Sequence, residues 1–412
     1  MDQSDTILLR DARLADGRMK DLVVTAGVVT CVVDAGSAVP IAAAGEVDLG
    51  GQLVLPAPAE PHAHLDKALL AERFPYRGGD LAASIAQVRE AYIHLDEGDI
   101  LDRARRAVRD ALGHGCTAIR THADCGDDIG LRSVRALLAL RDELRGTVDL
   151  TVTALPNPLV TGAAGRENRA ALERSVELGV DSVGGCPTLD ANPAQAVDWY
   201  VRIAAEAGLP LDLHVDETLD PHCDVLGLLA RRVLDTEFPH RVSASHCVSL
   251  GARSATERGE TIELVRSAGI AVVVCPQTNL LLQGRGEIPG SRGMAPIGLL
   301  RRRGVLVAGG GDNWRDPFNP LGRIDALETA QLLVAAAHLS PDDAYAAVSV
   351  DARAVLGLGA CGPEVGLAAD LIAVAVRDVS EFVAAGSADR LVIRAGRVVG
   401  RTQTRSWTAV DA

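Results

Sequence analysis

Ala59-Glu60-Pro61-His62-Ala63-His64-Leu65-Asp66-Lys67 follows the apolar run 53–56 and contains two histidines separated by one residue. Side chains alternate between the two faces of an extended strand, so His62 and His64 point to the same side. Two neutral imidazoles on one side can share a divalent metal ion. An isolated pair of this kind is more often two ordinary histidines, so the interpretation depends on further ligands downstream.

Apolar strand-like runs alternate with helical patterns after this stretch. With the His-x-His strand the runs number eight, and the other seven are 118–122, 150–155, 182–185, 211–214, 242–246, 270–274 and 305–308. Between them, apolar residues recur at spacings of three and four, for instance over 99–112, 167–178, 193–207 and 261–268. Eight such alternations over about 290 residues predict an α/β fold with a parallel (β/α)8 TIM barrel. Periodicity alone leaves an open, doubly wound sheet as the alternative.

The two ends of the chain carry short strand-like runs without long helices between them. Residues 6–9, 21–25 and 28–33 precede the barrel pattern, and residues 369–374 and 390–394 follow it. Turn-forming residues separate these runs, as is typical of a small β unit. We expect residues 1–56 and 355–412 to form a β-sandwich domain, and residues 57–354 to form the catalytic barrel.

Composition and charge narrow the classes of partner. The chain has 412 residues, a formal net charge of −14 and 48% hydrophobic residues, and its longest basic run is Arg301-Arg302-Arg303. This balance argues against nucleic-acid binding, which needs clustered positive charge. No secretory signal or run of about 18 apolar residues is visible, and the eight cysteines form no Cys-x-x-Cys pair. We expect a cytoplasmic enzyme with a small-molecule substrate and no membrane partner, and leave homo-oligomer formation open.

Polar residues collect where the predicted barrel strands end. They are His62 and His64 after the first strand, His122 after the second, Asn157 after the third, His214, Asp216 and Glu217 after the fifth, His246 after the sixth and Asp312 after the eighth. In a barrel these ends converge on one mouth, which is where active sites of this fold lie. Five histidines and three carboxylates on one rim therefore predict a catalytic site.

Part of this rim has the composition of a metal site. Three imidazoles and one carboxylate can hold one Zn²⁺ or Fe²⁺ and leave a position open for water, and the candidates are His62, His64, His214 and Asp312. A metal in this setting lowers the pKa of water toward neutrality. Only Lys20 and Lys67 are lysines, and residues 181–189 contain none. Barrel hydrolases that bind two metal ions bridge them with a carboxylated lysine from the fourth strand, and the absence of a lysine there favours a single metal ion.

The remaining rim residues are candidates for proton transfer. Asp312 can accept the proton of the attacking water, and Glu217 can serve as a general acid and base. His246 can orient the nucleophile or stabilise the charge that develops on the attacked centre. Structural alternatives are a solvated loop carboxylate for Glu217, a core histidine for His246 and a helix N-cap for Asp312. His122 is either a metal ligand or a partner of the ligands.

Four segments together make the chain resemble the amidohydrolase superfamily and, within it, the bacterial cytosine deaminase family. They are His62-Ala63-His64-Leu65-Asp66, Leu213-His214-Val215-Asp216-Glu217, Ser245-His246-Cys247 and Gly311-Asp312. The resemblance covers nearly the whole chain. It implies a barrel flanked by a β-sandwich and hydrolytic release of ammonia from an aminated nitrogen heterocycle, with cytosine or a cytosine-like pyrimidine as the leading substrate. It also implies the metal ligands named above, with Glu217 protonating a ring nitrogen.

Several positions depart from the cytosine deaminase pattern. Asn157 stands where those enzymes carry a glutamine, and Asn313 stands where they usually carry a second aspartate. A lysine at position 67 is a feature that looks more like the enzymes that remove N-alkyl groups from hydroxylated s-triazines. With Phe318, these three are the candidate substrate contacts. The alternatives are an isopropylammelide-type amino-s-triazine amidohydrolase and a deaminase of another cyclic amidine, such as creatinine, isocytosine or a pterin. A catalytically silent barrel would lack a ligand or the base, and neither is missing.

Overall fold

The computed structural model describes residues 6–39, 43–288, 290–387, 389–405 and 407–408. The strands are β1 Thr6–Arg13, β2 Met19–Thr25, β3 Val28–Asp34, β4 Gly45–Asp48, β5 Leu53–Pro56, β6 Ala59–Ala63, β7 Ala118–Cys125, β8 Asp149–Pro156, β9 Ser182–Gly185, β10 Leu211–Val215, β11 Val242–His246, β12 Ala271–Val274, β13 Val307–Gly309, β14 Leu371–Val374, β15 Arg390–Arg394 and β16 Arg397–Thr402. They form two eight-stranded sheets, one from the middle of the chain and one from its ends.

Helices connect and cover the strands. They are α1 Leu81–Tyr92, α2 Glu97–Gly113, α3 Arg132–Glu143, α4 Arg166–Glu177, α5 Pro193–Ala207, α6 Val225–Asp235, α7 Ser249–Ala252, α8 Ala255–Ser267, α9 Pro276–Leu282, α10 Ile297–Arg302, α11 Ala326–Ala337, α12 Pro341–Ala347, α13 Val350–Leu356 and α14 Val379–Ala385. Side-chain caps begin several of them, such as the Ser254–Glu257 capping box of α8. In the part of the chain that the structure describes, no helix is long and apolar enough to cross a bilayer.

The middle sheet is a parallel barrel whose strands follow chain order from β6 to β13. Residues next to its first and last strands close it, because the Asp312 amide donates to the His62 carbonyl at 2.8 Å and the His64 amide donates to the Asp312 carbonyl at 3.2 Å. The predicted (β/α)8 fold is therefore confirmed, and the open-sheet alternative is excluded. Closure joins the His-x-His segment directly to the segment that carries Asp312.

The second sheet unites both ends of the chain, as predicted. Its order is β16-β15-β14-β5-β1-β2-β3, with β4 paired to β1. Strand β5 links the two ends, since it runs antiparallel to β14 with Leu55 opposite Ile372. A small core forms on this sheet from side chains such as Leu9, Leu22 and Ile393. The exact division into residues 1–56 plus 355–412 and residues 57–354 stays a prediction.

One buried ion pair ties this terminal sheet to the barrel helices. The Arg390 guanidinium in β15 lies 2.8 Å from the carboxylate of Asp325, the residue that caps α11. The same guanidinium donates to the carbonyl of His114 at the end of α2. Because both members of the pair are almost fully buried, the contact fixes the sheet against the barrel away from the mouth.

Candidate metal centre and active site

The carboxyl ends of the barrel strands hold a compact buried cluster. His62 lies in β6 and His214 in β10, His246 ends β11, and Asp312 follows β13 by three residues. His246 and Asp312 have φ values of 70° and 60°, in the left-handed region. Such a conformation costs roughly 1–3 kcal/mol in a non-glycine residue and persists only where the surrounding structure holds it. Here it turns the strand ends so that these side chains line the mouth.

Three pairs of predicted ligand atoms lie near the separation expected around one metal ion. His64 Nε2 is 3.2 Å from His214 Nε2 and 3.3 Å from Asp312 Oδ1. His62 Nε2 is 3.5 Å from the same Asp312 oxygen and has no hydrogen-bond partner. Ligands about 2.0–2.1 Å from a tetrahedral ion lie about 3.3 Å from one another. Three nitrogens and one oxygen in this arrangement fit a borderline divalent cation such as zinc or iron.

Hydrogen bonding and burial prepare the imidazoles as neutral ligands. The Nδ1 atom of His62 lies 2.8 Å from the Ser245 hydroxyl, so that with the proton on Nδ1 its Nε2 atom is free to bind a metal. Burial, followed by repulsion between the rings, lowers the pKa of His62 and His214 well below the usual value, and burial lowers that of His64. Neutral rings are the form that binds a metal.

The Asp312 carboxylate is ionised in this surrounding. Burial alone would raise its pKa, but the His62 and His64 rings beside it hold the pKa well below its usual range. Its second oxygen, Oδ2, is buried and has no hydrogen-bond partner among the described residues. The carboxylate therefore supplies negative charge to the cluster and keeps one oxygen available for a proton or a cation.

Glu217 and His246 form a pair beside the cluster. Glu217 Oε1 lies 3.6 Å from His246 Nδ1, and the Asn279 amide contacts both, donating to the ring at 3.0 Å and to the carboxylate at 3.4 Å. Since Asn279 donates to Nδ1, the proton of the neutral ring is on Nε2, which has no partner. Burial raises the pKa of Glu217 to about 7. A carboxyl with this pKa can both give and take a proton near neutral pH.

His122 occupies a different position from the other histidines. Its Nε2 lies 2.7 Å from the Asp212 carboxylate, and its Nδ1 lies 3.3 Å from the Ala63 carbonyl. Asp212 also pairs with the buried Arg120 at 3.0 Å. Both ring nitrogens of His122 are thus engaged by the protein, although the ring centroid is only 4.2 Å from that of His62. This geometry favours a supporting position over direct ligation.

Glu60 joins the two chain segments that carry the ligands. Its carboxyl oxygens accept the amide of His62 at 2.9 Å and the amide of Gly311 at 2.9 Å. Burial raises the pKa of Glu60 to about 8. The first amide belongs to the candidate ligand His62, and the second belongs to the residue before the candidate ligand Asp312. Glu60 therefore fixes the backbone of both ligands, although it does not line the cavity.

A single cavity contains most of the predicted catalytic and substrate-contact residues. His64, His214, Glu217, His246 and Asp312 form its polar end, and the four predicted substrate contacts also line it: Lys67, Asn157, Asn313 and Phe318. These four residues differ in whether their polar atoms already have a hydrogen-bond or ion-pair partner in the protein. The amide nitrogen of Asn157 is buried and unpartnered, whereas the Asn313 amide donates to Asp316 at 2.8 Å. Lys67 Nζ lies 2.7 Å from Asp124 and 3.2 Å from Asp66.

Several residues of the site were not identified from the sequence. Asn279 orients Glu217 and His246, Ser245 orients His62, and Asp212 holds His122. Asn279 follows the seventh strand, so the rule that strand ends carry function could have identified it. Asp216 was grouped with the rim carboxylates, but its oxygens accept the amides at the start of α6. The sequence pattern alone does not separate such a cap from a catalytic acid.

Comparison with known proteins identifies the class of enzyme. The profile of the amidohydrolase family matches residues 80–400. A pterin deaminase of Rhizobium rhizogenes (strain K84 / ATCC BAA-868) is 32% identical over 396 residues, covering 94% of this chain and 90% of that protein. This protein therefore belongs to the amidohydrolase family.

Solved structures support the same conclusion. The 5-methylcytosine deaminase from Klebsiella pneumoniae, liganded with 5-fluorocytosine, has a TM-score of 0.89 and 27% identity, covering 98% of this chain and 100% of that chain. N-isopropylammelide isopropylaminohydrolase from Burkholderia multivorans ATCC 17616 has a TM-score of 0.84 and 28% identity, covering 97% and 99%. The resemblance to cytosine deaminase-like amidohydrolases is confirmed. The protein is a metal-dependent hydrolase of C–N bonds in small nitrogen heterocycles.

Proposed function

We propose that this protein removes the exocyclic amino group of a cytosine-like aminopyrimidine by hydrolysis and releases ammonia. One observation carries the proposal: the Glu217 carboxyl, with a pKa of about 7, lies beside His246 at the edge of the four-ligand cluster. A proton carrier next to a cation site is the arrangement that hydrolysis of an amidine carbon needs.

The ligand set suits one divalent cation, zinc or iron, held by His62, His64, His214 and Asp312. When bound, such an ion supplies Lewis acidity that makes water a nucleophile near neutral pH. The fourth strand argues for a single ion. A Cβ added at Gly185 would lie 2.1 Å from the Tyr200 ring, so this position has no room for a bridging lysine.

The chain's own residues can carry the protons of the reaction. Asp312, ionised beside the imidazoles, accepts a proton from the attacking water. Protonated Glu217 donates to the ring nitrogen next to the amino carbon while the oxygen of the attacking water bonds to that carbon, which becomes tetrahedral. His246, a donor through Nε2, stabilises the negative charge that develops on the added oxygen. Asp312 then passes the proton it accepted to the amino group, the C–N bond breaks and ammonia leaves. Ionised Glu217 takes the proton of the added hydroxyl, so that a ring carbonyl remains and both acids regain their starting states.

Substrate orientation is assigned to the polar wall of the cavity. The free Asn157 amide can donate to a ring carbonyl or nitrogen. Lys67 remains charged, because Asp124 and Asp66 raise its pKa against the effect of burial, and it can donate to a ring carbonyl. Asn313 and Phe318 complete the wall, as an amide fixed by Asp316 and as an aromatic surface.

A pterin is the second candidate substrate. The pterin deaminase relative supports it, and so does a cavity that continues past the polar residues to Leu81, Ile85 and Val88 in α1. An amino-s-triazine remains a third option through Lys67 and the isopropylammelide enzyme. These substrates share an amino carbon flanked by ring nitrogen, so the proton transfers above apply to each.

Product release from a panel of rings tests the proposal. Protein loaded with zinc or iron is incubated with cytosine, 5-substituted cytosines, isocytosine, creatinine, a pterin and N-alkyl aminotriazines. We expect ammonia from an aminopyrimidine and none from the same ring with metal-free protein. Release of an alkylamine instead of ammonia would favour the triazine activity. No product from any ring under either metal would refute the proposed deaminase.

A further inference from the structure

Helix α1 forms one side of the cavity with a single face. Five of its residues line the cavity, at spacings of four, three, one and three: Leu81, Ile85, Val88, Arg89 and Tyr92. Residues with these spacings lie along one face of a helix. The helix therefore presents a continuous surface to whatever occupies the cavity.

The two halves of α1 are held differently. Val88 and Tyr92, near its end, belong to a buried cluster with Leu70 and Ile100, and the Tyr92 hydroxyl donates to Asp124. Leu81 and Ile85, near its start, are only half-buried and belong to none of the hydrophobic clusters formed by the described residues. The helix is anchored at one end, and its other end offers apolar side chains to the cavity.

Apolar residues from other elements face the same region. Leu189 lines the cavity and exposes 38% of its surface, and Leu155 lines it at the end of β8. Neither is part of the described hydrophobic clusters. A group of apolar side chains that lines a cavity without packing into the core is typical of a ligand-binding surface.

The cavity lining also contains polar residues. There Lys67, Asp124 and Tyr92 form a chain of buried polar contacts, next to the unpartnered amide of Asn157. The lining thus offers polar groups, which suit a hydrogen-bonding ring, together with apolar side chains, which suit apolar atoms attached to that ring.

We infer that the substrate is an aminopyrimidine extended by apolar atoms, and that Leu81, Ile85 and Leu189 determine this specificity. The inference rests on the proposed deaminase function and narrows its substrate class. The apolar extension can be an alkyl substituent or a second, fused ring, since both would fill the same surface. Each methyl-sized group that becomes buried is expected to raise kcat/KM by about fourfold.

Matched pairs of substrates test the inference and distinguish the two kinds of extension. One pair is cytosine and 5-methylcytosine, and the other is isocytosine and pterin, which contains the isocytosine ring fused to a second ring. We expect at least one pair to favour the extended ring by about fourfold or more in kcat/KM. The pair with the larger ratio identifies the extension as alkyl or fused. A preference for the bare ring in both pairs would overturn the inference.

Substitutions of the cavity residues test whether they determine the ratio of kcat/KM between the extended and the bare ring. Ile85→Ala and Leu189→Ala should reduce the preference for the extended ring by about fourfold or more, with a smaller effect on the bare ring. Ile93→Ala is the matched control, because Ile93 follows α1, is 76% exposed and does not line the cavity. Alanine is compatible with a helix, so these variants should fold. An unchanged ratio in Ile85→Ala and Leu189→Ala would overturn the assignment of these residues.

A binding measurement separates this inference from the proposed function. Calorimetry on metal-free protein compares the products, thymine with uracil, or the deaminated pterin with uracil. The extended product should bind more tightly to the wild type and lose this advantage in Ile85→Ala. Turnover with a preference for bare rings would overturn the specificity inference alone. Absence of product from every ring would overturn the deaminase proposal as well.

Discussion

Replacing Glu217 by glutamine should make the protein more stable and nearly inactive at the same time. Glu217 exposes only 11% of its side chain, and burial raises its pKa from 4.5 to about 7. In the unfolded chain the carboxyl returns to its ordinary pKa. At any pH above the pKa of the unfolded chain, folding must therefore either protonate this carboxyl or bury it as a charge, and the free energy of unfolding is lowered. Glutamine keeps the size of the side chain but does not ionise.

The size of the effect follows from the pKa values. For a carboxyl whose pKa is raised on folding, the protonated form contributes its full stability below the pKa of the unfolded chain. This stability is lost as the pH rises through the pKa of the folded protein. Raising the pKa from 4.5 to about 7 corresponds to about 3 kcal/mol above pH 8, at about 1.4 kcal/mol per unit of pKa. Near pH 5 the cost is below about 1 kcal/mol. The stability of Glu217→Gln relative to the wild type should therefore be about 2–3 kcal/mol greater at pH 8 than at pH 5.

Urea unfolding of the metal-free proteins at about pH 5 and about pH 8 measures this gain. Comparing the two pH values removes contributions of the substitution that do not depend on ionisation. Glu173→Gln is the control, because Glu173 lies exposed on α4 and should show the same small difference at both pH values. If the stability difference between Glu217→Gln and wild type were identical at both pH values, the argument from burial would be wrong.

The metal-loaded variant tests the catalytic side of the same argument. Loss of a general acid and base typically lowers turnover by about 10²–10⁴-fold, and we expect a loss of this size in ammonia release by Glu217→Gln. Metal content, measured by elemental analysis, should stay at the wild-type level because Glu217 is not one of the proposed ligands. Unchanged turnover would exclude Glu217 as the proton carrier.

Three further substitutions test other parts of the site. Asp312→Ala should lower the metal content on elemental analysis and abolish turnover, and tight metal retention with activity would contradict the proposed ligand set. Gly311→Ala places a Cβ 2.6 Å from the Trp314 indole nitrogen and should cost about 1–3 kcal/mol on urea unfolding; Gly259→Ala, with nothing within 4 Å, should cost nothing. Asp212→Ala leaves the buried Arg120 without its carboxylate and should lower the free energy of unfolding by about 3–5 kcal/mol. A loss under about 1 kcal/mol would show that the pair is dispensable.

The barrel and its rim were predictable because both follow from local patterns. Parallel strands buried on both faces are continuous apolar runs, and each predicted run from 118–122 onward overlaps an observed strand of the barrel. The ligand candidates were recognisable because strand ends converge whatever the detailed packing. Barrel closure was not predictable from periodicity, since it depends on the hydrogen bonds between the His62–His64 segment and Asp312.

The supporting contacts could not be predicted, because they depend on side chains from distant segments meeting in space. Tyr92 and Asp124 are 32 residues apart, and Asn279 meets Glu217 from 62 residues away. Nothing in the local pattern of α1 marks it as a wall of the cavity, because its residues are ordinary helix formers. The roles of Asn157, Asn313, Phe318 and Lys67 in substrate binding stay predictions, although all four line the cavity.

The two carboxylates of the mouth show how one site can hold an ionised acid and a protonatable one. Asp312 and Glu217 both follow barrel strands and are both buried, yet their pKa values move in opposite directions. The neighbouring His62 and His64 rings outweigh the effect of burial on the pKa of Asp312, whereas burial outweighs the effect of His246 on the pKa of Glu217. Environments that separate the pKa values of neighbouring acids are those that assign a base and an acid in catalysis. Because that separation depends on which rings each carboxylate meets, the structure adds a physical reason for the roles that the sequence predicted, with Asp312 as base and Glu217 as acid.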